Sequence, residues 1–109
     1  SLEHLRSFTY VQDIVDGIVS VIGREDICNS EIFNLGTEEE NSTATGIAIV
    51  EEILQIKIKI VHKDARPGDQ SRTRANIDKA RKLLGYNPKT GLKEGLEAQL
   101  RWFKEKQMQ

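Results

Sequence analysis

The spacing of hydrophobic and polar residues changes twice within the first third of the chain. Residues 8–11 are a short run of aromatic and β-branched residues, which predicts a strand or an extended entry segment. Apolar residues then recur at helical spacing, which predicts an amphipathic helix over 13–22 with Asp13 as its N-cap. Residues 32–35 predict a second short strand, which Gly36 closes.

The rest of the chain predicts three further helices, one alternating strand and a long polar loop. Ser42 or Thr43 can cap the first of these helices, and Gly85 can end the second. The strand is predicted where isoleucine alternates with lysine, because a period of two gives one wet and one buried face. The predicted elements are helix 42–54, strand 56–61, loop 62–74 with a turn at residues 67–68, helix 77–84 and helix 92–103. Short strands that alternate with about four helices are typical of one small α/β domain.

Composition narrows the classes of function. The 109 residues carry 16 basic and 17 acidic side chains, and this balance argues against a general nucleic-acid binder. The longest apolar stretches have only a few residues, so no membrane-spanning segment is predicted. The one cysteine, Cys28, excludes a disulfide framework and is interpreted as an inert small hydrophobe in a reducing cytoplasm.

Familiar signatures of catalysis and of metal or cofactor binding are missing from the 109 residues. No glycine-rich dinucleotide loop and no Gly-x-x-x-x-Gly-Lys phosphate loop occurs. His4 and His62 lie far apart in the sequence and outside the spacing of metal ligands. We therefore assign no catalytic, cofactor-binding or metal-ligating residue.

Arginine is the residue type that suggests chemistry. Arg6 precedes the first predicted strand, and Arg66, Arg72 and Arg74 crowd the long loop together with Asp69. Guanidinium groups match the oxygens of phosphate, and a carboxylate can accept hydrogen bonds from a pair of sugar hydroxyls. The alternative is that these charges are solvated or form weak surface ion pairs.

The two aromatic residues beside Arg6 are also ambiguous. Phe8 and Tyr10 could stack on a nucleotide base or simply fill a core, and the residues alone favour the core for Phe8. The acidic run 38–40 is interpreted as a solvated surface.

Six segments in one order resemble the extended short-chain dehydrogenases/reductases, the NAD-dependent nucleotide-sugar epimerases and dehydratases. The first is an Arg-x-Phe-x-Tyr-Val-x-Asp segment that starts at Arg6, and the similarity extends to Phe103. The segments are 6–17, 32–36, Ser42, 66–69 (Arg-Pro-Gly-Asp), 73–80 and 84–90. The chain departs from the family at Gln55, where glycine is usual, and at Asn76, where aspartate is usual.

The resemblance implies a UDP-sugar site closest to that of the UDP-glucose and UDP-galactose 4-epimerases. It implies that Arg6 and Arg66 clamp the diphosphate, that Asp69 binds the ribose hydroxyls and that Phe8 borders the nucleotide. The similar part is the carboxyl-terminal, substrate-binding portion of such an isomerase. The Rossmann half, which carries the NAD site and the Tyr-x-x-x-Lys catalytic set, has no counterpart here. We therefore expect residues 6–109 to hold substrate and to be inactive alone, with NAD bound only in a full-length parent.

Other interpretations stay open at the level of sequence. Residues 1–5 are either a cloning remnant or the point where a longer chain was cut. The chain could instead be a stand-alone nucleotide- or anion-binding module, or a non-catalytic interaction domain. Within the enzyme class, the residues do not separate an epimerase from a dehydratase or a decarboxylase, nor identify the sugar. Expected partners are a Rossmann domain and a second copy in a homodimer.

Overall fold

A computed structural model describes residues 1–107. Within this range the fold has five helices and one two-stranded sheet. The elements in chain order are β1 (Leu5–Arg6), α1 (Val11–Val19), α2 (Glu25–Cys28), β2 (Asn41–Ser42), α3 (Thr43–Leu54), α4 (Asp78–Leu84) and α5 (Leu92–Gln107). The strands are antiparallel, with Leu5 opposite Ser42 and Arg6 opposite Asn41. The α/β class is confirmed, with one short helix, α2, beyond the four predicted. Among the described residues, no helix is long and apolar enough to cross a membrane.

The buried core is small and lies around α4. Its fully or nearly fully buried members are Ile77, Ala80, Leu84 and Tyr86. The partly buried residues packed against it come from four other parts of the chain: Val21, Cys28, Phe33, Leu35 and Ala75. The position of Cys28 beside this cluster agrees with its interpretation as a small hydrophobe. Helix α3 packs on α5 away from this core.

The predicted role of Asp13 is wrong. Helix α1 begins two residues earlier, with Tyr10 in the N-cap position. Asp13 is only 2% exposed, and its carboxylate accepts hydrogen bonds from the backbone amides of Lys89 (3.4 Å) and Thr90 (3.1 Å). A buried carboxylate needs such partners, so Asp13 fixes the turn before α5 against α1.

The predicted strands at residues 32–35 and 56–61 are also wrong, and of the two alternatives for residues 8–11 the strand is wrong, while Tyr10 is extended where the chain enters α1. Val11 is the first residue of α1, and residues 32–35 and 56–61 run without ladder partners. A strand exists only where a second strand satisfies its backbone groups, and the sole sheet of the described chain is β1–β2. The alternating isoleucines do not form a buried face, because Ile56 and Ile60 are exposed.

Local helix signals are confirmed. Ser42 caps α3, since its hydroxyl accepts a hydrogen bond from the Thr45 amide at 3.1 Å. Gly85 ends α4 in the left-handed conformation, with φ of 65°. Gln55 ends α3 in the same conformation, with φ of 54°, which accounts for the glycine that is usual at this position in the resembling family.

The molecule is flat and exposes much surface for its mass. Its extents are 51 × 40 × 20 Å and its radius of gyration is 16.9 Å, against about 13 Å for a typical domain of this length. Its accessible surface of 8290 Å² exceeds by about 2,000 Å² the value typical of a 12.4 kDa monomer. Much of the apolar surface of this chain is therefore uncovered.

Candidate functional site

The long polar loop lies beside β1. The Leu5 amide donates to the Ser71 carbonyl at 2.9 Å, and the Thr73 amide donates to the Leu5 carbonyl at 3.2 Å. Leu5 and Arg72 form a parallel bridge through this pairing. Two segments that are more than 60 residues apart in sequence are thus held side by side.

A tight turn within this loop begins at Arg66 and ends at Asp69. The Asp69 amide donates to the Arg66 carbonyl at 3.2 Å, and Gly68 has φ of +80°. Proline before a glycine of positive φ is the signature of a type II turn, which only glycine adopts without strain. The predicted turn at residues 67–68 is therefore confirmed, and it fixes the spacing between the two charged residues.

Three side chains meet at this junction. The Asp69 carboxylate lies 3.4 Å from Arg6 Nη2 through one oxygen and 3.5 Å from His4 Nδ1 through the other. Arg6 also donates to the carbonyls of Gln70 (2.6 Å) and Leu5 (2.8 Å). Arg6 and His4 are partly buried, while the Asp69 side chain is 42% exposed. Arg6 thus ties the loop to β1 and keeps further N–H donors for a ligand, since a guanidinium carries five.

Arg66 begins the same turn and is exposed. Within residues 1–107, no hydrogen bond or ion pair to its guanidinium is seen, whereas Arg6 and Asp69 are in direct contact. The structure therefore brings Arg6 and Asp69 together and leaves Arg66 three residues away on the solvent side of the turn. The ligand-binding roles of these residues stay predictions.

The other two loop arginines form ion pairs. Arg72 makes a bidentate contact with Glu40, at 2.6 and 2.7 Å, and Arg74 pairs with Glu38 at 3.0 Å. Glu38 also binds Arg81. The interpretation of residues 38–40 as purely solvated is wrong, because two of these glutamates are held by arginines. The hydrogen bonds from Arg72 hold the pKa of Glu40 below its ordinary value.

Phe8 lies apart from the charged junction. It lines a cavity of about 530 Å³ between residues 8–11 and α5, which Tyr10, Leu96 and Trp102 also line. Phe8 is 40% exposed, so the expectation that it fills the core is wrong. Neither this cavity nor the second described one, of about 500 Å³ between α3 and α5, is lined by Arg6, Arg66 or Asp69.

Sequence reasoning missed the contact of His4 and the burial of Tyr86. His4 stands two residues before Arg6, so strand alternation places both on one face, and this spacing was the available signal. The Tyr86 hydroxyl is buried without a hydrogen-bond partner among the described residues. Burial, and next the negative charge of Asp13, raise the pKa of Tyr86, while the nearby Gly36 backbone opposes this without reaching hydrogen-bond geometry.

The residues present do not fit a nicotinamide dinucleotide. Such a cradle needs a strand, a glycine-rich turn and a helix N-terminus, and the strands described within residues 1–107 have two residues each. No group of three His, Cys, Asp or Glu side chains that could hold a metal ion occurs among these residues either.

Solved structures of nucleotide-sugar enzymes share this fold. The UDP-glucuronic acid 4-epimerase from Bacillus cereus, solved with UDP-glucuronic acid and NAD, superimposes with a TM-score of 0.88 and 30% identity. The match covers 96% of this chain and 33% of that one. The chain thus has the fold of about one third of a nucleotide-sugar enzyme of this kind.

Sequence relatives give the family. Residues 1–99 match the family model described as GDP-mannose 4,6 dehydratase, and the chain belongs to this family. An uncharacterized UDP-glucose epimerase of Bacillus subtilis is 38% identical over 91 residues, covering 84% of this chain and 28% of its own length. UDP-glucuronic acid decarboxylase 3 of Arabidopsis thaliana is 33% identical over 91 residues, 84% of this chain and 26% of its own. The chain therefore spans less than a third of the length of these relatives, and the resemblance to NAD-dependent epimerases and dehydratases is confirmed.

Proposed function

We propose that this chain is the substrate-holding part of an NAD-dependent UDP-sugar epimerase, similar to UDP-glucose 4-epimerase. The observation that supports this most is the docking of the loop on β1, which puts Arg6 and Asp69 in contact and Arg66 on the adjacent turn. Arg6 and Arg66 bind the diphosphate, and Asp69 accepts hydrogen bonds from the ribose hydroxyls. Phe8, which lines the cavity between residues 8–11 and α5, borders the nucleotide.

Electrostatics favour a diphosphate over a neutral sugar as the anchored group. Arg6 in the junction and Arg66 on the neighbouring turn residue set two positive charges against the one carboxylate of Asp69, and this net positive charge favours an anion. Anchoring the remote diphosphate positions the sugar ring for a reaction carried out elsewhere in a longer protein. Hydride transfer is the chemistry of the NAD that the longer protein binds. We expect no epimerisation by the 109 residues alone, because they hold no proton-transfer set.

We also propose that the exposed face of α1 packs on the NAD-binding domain. Helix α1 buries Asp13 and Gly17 and turns four aliphatic residues outward, the reverse of an ordinary surface helix, and Ile22 in the turn that follows is exposed as well. This α1 face consists of Val11, Val15, Ile18, Val19 and Ile22. The relatives have more than two thirds of their length outside the matched region, which is enough chain for a covering domain. The excess surface of about 2,000 Å² exceeds the roughly 800 Å² that one partner buries in a standard interface.

A titration with UDP tests the nucleotide site. The ¹⁵N-labelled chain is titrated with UDP by NMR, first as the natural sequence and then as Arg66→Ala. We expect the amide signals of residues 66–72 to shift and Arg66→Ala to weaken UDP about tenfold, because one charge-assisted hydrogen bond to phosphate is lost.

The matched control is Arg101→Ala, which removes an exposed arginine of α5 far from the junction in sequence. Equal loss of UDP affinity in the two variants would show a diffuse charge effect and contradict the site. No shift with UDP at millimolar concentration would instead favour an interaction domain without a nucleotide site.

A further inference from the structure

A third residue at the junction has no role in the proposed function. His4 Nδ1 lies 3.5 Å from the Asp69 oxygen that Arg6 does not contact, so the carboxylate has one basic side chain on each side. The His4 and Arg6 side chains alternate with Leu5 on the extended chain and share one face. This arrangement suits a carboxylate that is held in one orientation.

The backbone of His4 is itself fixed. Its carbonyl accepts a hydrogen bond from the Thr43 amide at 3.3 Å, and the next residue, Leu5, pairs with the loop. The imidazole is only 23% exposed, although Asp69 is on the surface. His4 therefore approaches Asp69 from a rigid support, whereas the carboxylate side chain stands on an exposed turn.

The geometry points to His4 as a positioning residue that orients Asp69 and thereby sets the preference of the site for ribose over deoxyribose nucleotides. The inference rests on the proposed function, in which Asp69 accepts the ribose hydroxyls. A carboxylate has about four lone-pair positions; the hydrogen bond from Arg6 at 3.4 Å uses one of them, and His4 Nδ1 lies 3.5 Å from the other oxygen. The remaining positions are then directed to one place, where a vicinal pair of hydroxyls can donate to both oxygens.

An unoriented carboxylate would bind the same hydroxyls less well. Ordering a free side chain on binding has a cost, and a carboxylate already held by His4 and Arg6 avoids most of it. The orientation of Asp69 affects the ratio of affinities for ribose and deoxyribose nucleotides, because only a ligand with both hydroxyls benefits from it. Diphosphate binding through Arg66 does not depend on it.

The test compares UDP with 2′-deoxy-UDP in NMR titrations of the 109-residue chain. We expect the natural chain to bind UDP about tenfold more tightly than the deoxy nucleotide, since a hydrogen bond to a charged acceptor is lost. We expect His4→Ala to reduce this ratio to about threefold or less, with little change in the affinity for the deoxy nucleotide. The dispersion of the amide spectrum reports whether the variant is folded.

Two further variants separate positioning from a structural role. His4→Gln retains a side-chain N–H donor and is expected to restore most of the ratio. His62, the only other histidine, is exposed at the start of the loop, and His62→Ala is expected to leave the ratio unchanged.

Each remaining outcome is decisive. An unchanged ratio in His4→Ala overturns this inference and leaves the nucleotide site intact. A natural chain that binds both nucleotides equally also overturns this inference, since Asp69 then does not distinguish ribose from deoxyribose. A natural chain that binds neither overturns the proposed function as well.

Discussion

Two buried polar residues fix the contact between α1 and the turn at residues 86–90. Asp13 is fully partnered, because two backbone amides of that turn donate to its carboxylate. Tyr86 packs beside it with an unpartnered hydroxyl, which is an energetic cost rather than a gain. Individual side chains thus contribute to stability with opposite signs within one contact.

Replacing Tyr86 with phenylalanine tests this cost. Tyr86→Phe removes an unsatisfied buried hydroxyl, so we expect the free energy of unfolding at pH 7 to stay equal or rise by up to about 1 kcal/mol. The raised pKa of Tyr86 adds a pH dependence. Unfolded tyrosine ionises near pH 10 while the folded residue stays neutral, so the natural chain loses stability as the pH rises above about 10. Urea unfolding at pH 7 and pH 10.5 measures both effects.

The advantage of Tyr86→Phe over the natural chain should therefore grow with pH. Tyr10→Phe is the control for removing a phenol hydroxyl from the same protein. A variant that is clearly less stable than the natural chain at pH 7 would show that the Tyr86 hydroxyl has a partner after all.

Helix packing depends on one close approach. A Cβ at Gly17, in the middle of α1, would lie 2.8 Å from Leu35 Cδ1 and 3.0 Å from Tyr86 Cε1. At Gly46, in α3, the same atom would meet nothing within 4 Å. The two helical glycines therefore differ in function: one permits packing and the other only weakens its helix.

Alanine substitution separates the two glycines. We expect Gly17→Ala to lower the free energy of unfolding by about 1–3 kcal/mol, because the added methyl overpacks the contact. We expect Gly46→Ala to raise it by up to about 1 kcal/mol through helix propensity. Urea unfolding followed by circular dichroism measures both, and a destabilising Gly46→Ala would contradict the open surroundings of that residue.

The end of α3 has a residue in a conformation that it adopts with strain. Gln55 has φ of 54° and ψ of 45°, which crowds the Cβ of any residue other than glycine. We expect Gln55→Gly to raise the midpoint of thermal unfolding, with a gain of about 1 kcal/mol in the free energy of unfolding. Gln55→Ala, which keeps the Cβ, is the control and should give no such gain.

At the scale of the whole molecule, uncovered apolar surface dominates the expected behaviour. The α1 face is continuous along one side of a helix, and such patches drive association. We expect the isolated chain to self-associate with rising concentration in sedimentation velocity. Ile18→Glu should shift it towards monomer, because a charge cannot be buried unpaired in that contact.

Val61→Glu is the matched control, since Val61 is similarly exposed but lies in the extended segment after α3. A clean monomer at high concentration would contradict the expectation, as would equal effects of the two glutamates. A clean monomer would mean that the α1 face stays exposed to water without driving association.

The features that sequence predicted are the local ones. The Ser42 cap, the Gly85 helix end and the turn at Pro67-Gly68 are each determined within a few residues. Residues 32–35 and 56–61 failed as strands because a strand depends on a neighbour that the pattern cannot supply. Asp13 failed as a cap because its partners lie 76 and 77 residues away.

In the candidate site, too, the residue types were predictable from sequence, whereas the contacts between distant residues were not. The arginines and Asp69 were found by residue type and family resemblance, but spacing alone could not bring Arg6 to a residue 63 positions away. Nor could spacing show that Arg72 and Arg74 form ion pairs with glutamates. Pairings between distant charges arise from the docking of the loop on β1, which is a property of the fold.

The stretch of alternating isoleucine and lysine after α3 has a consequence for solubility. Residues 56–61 are extended and mostly exposed, so much of their backbone is open to a second strand from another molecule. The isoleucines alone would be a strong seed for fibre formation. Lys57 and Lys59 place like charges on every added copy, and repulsion between stacked copies makes the two lysines gatekeepers against amyloid growth.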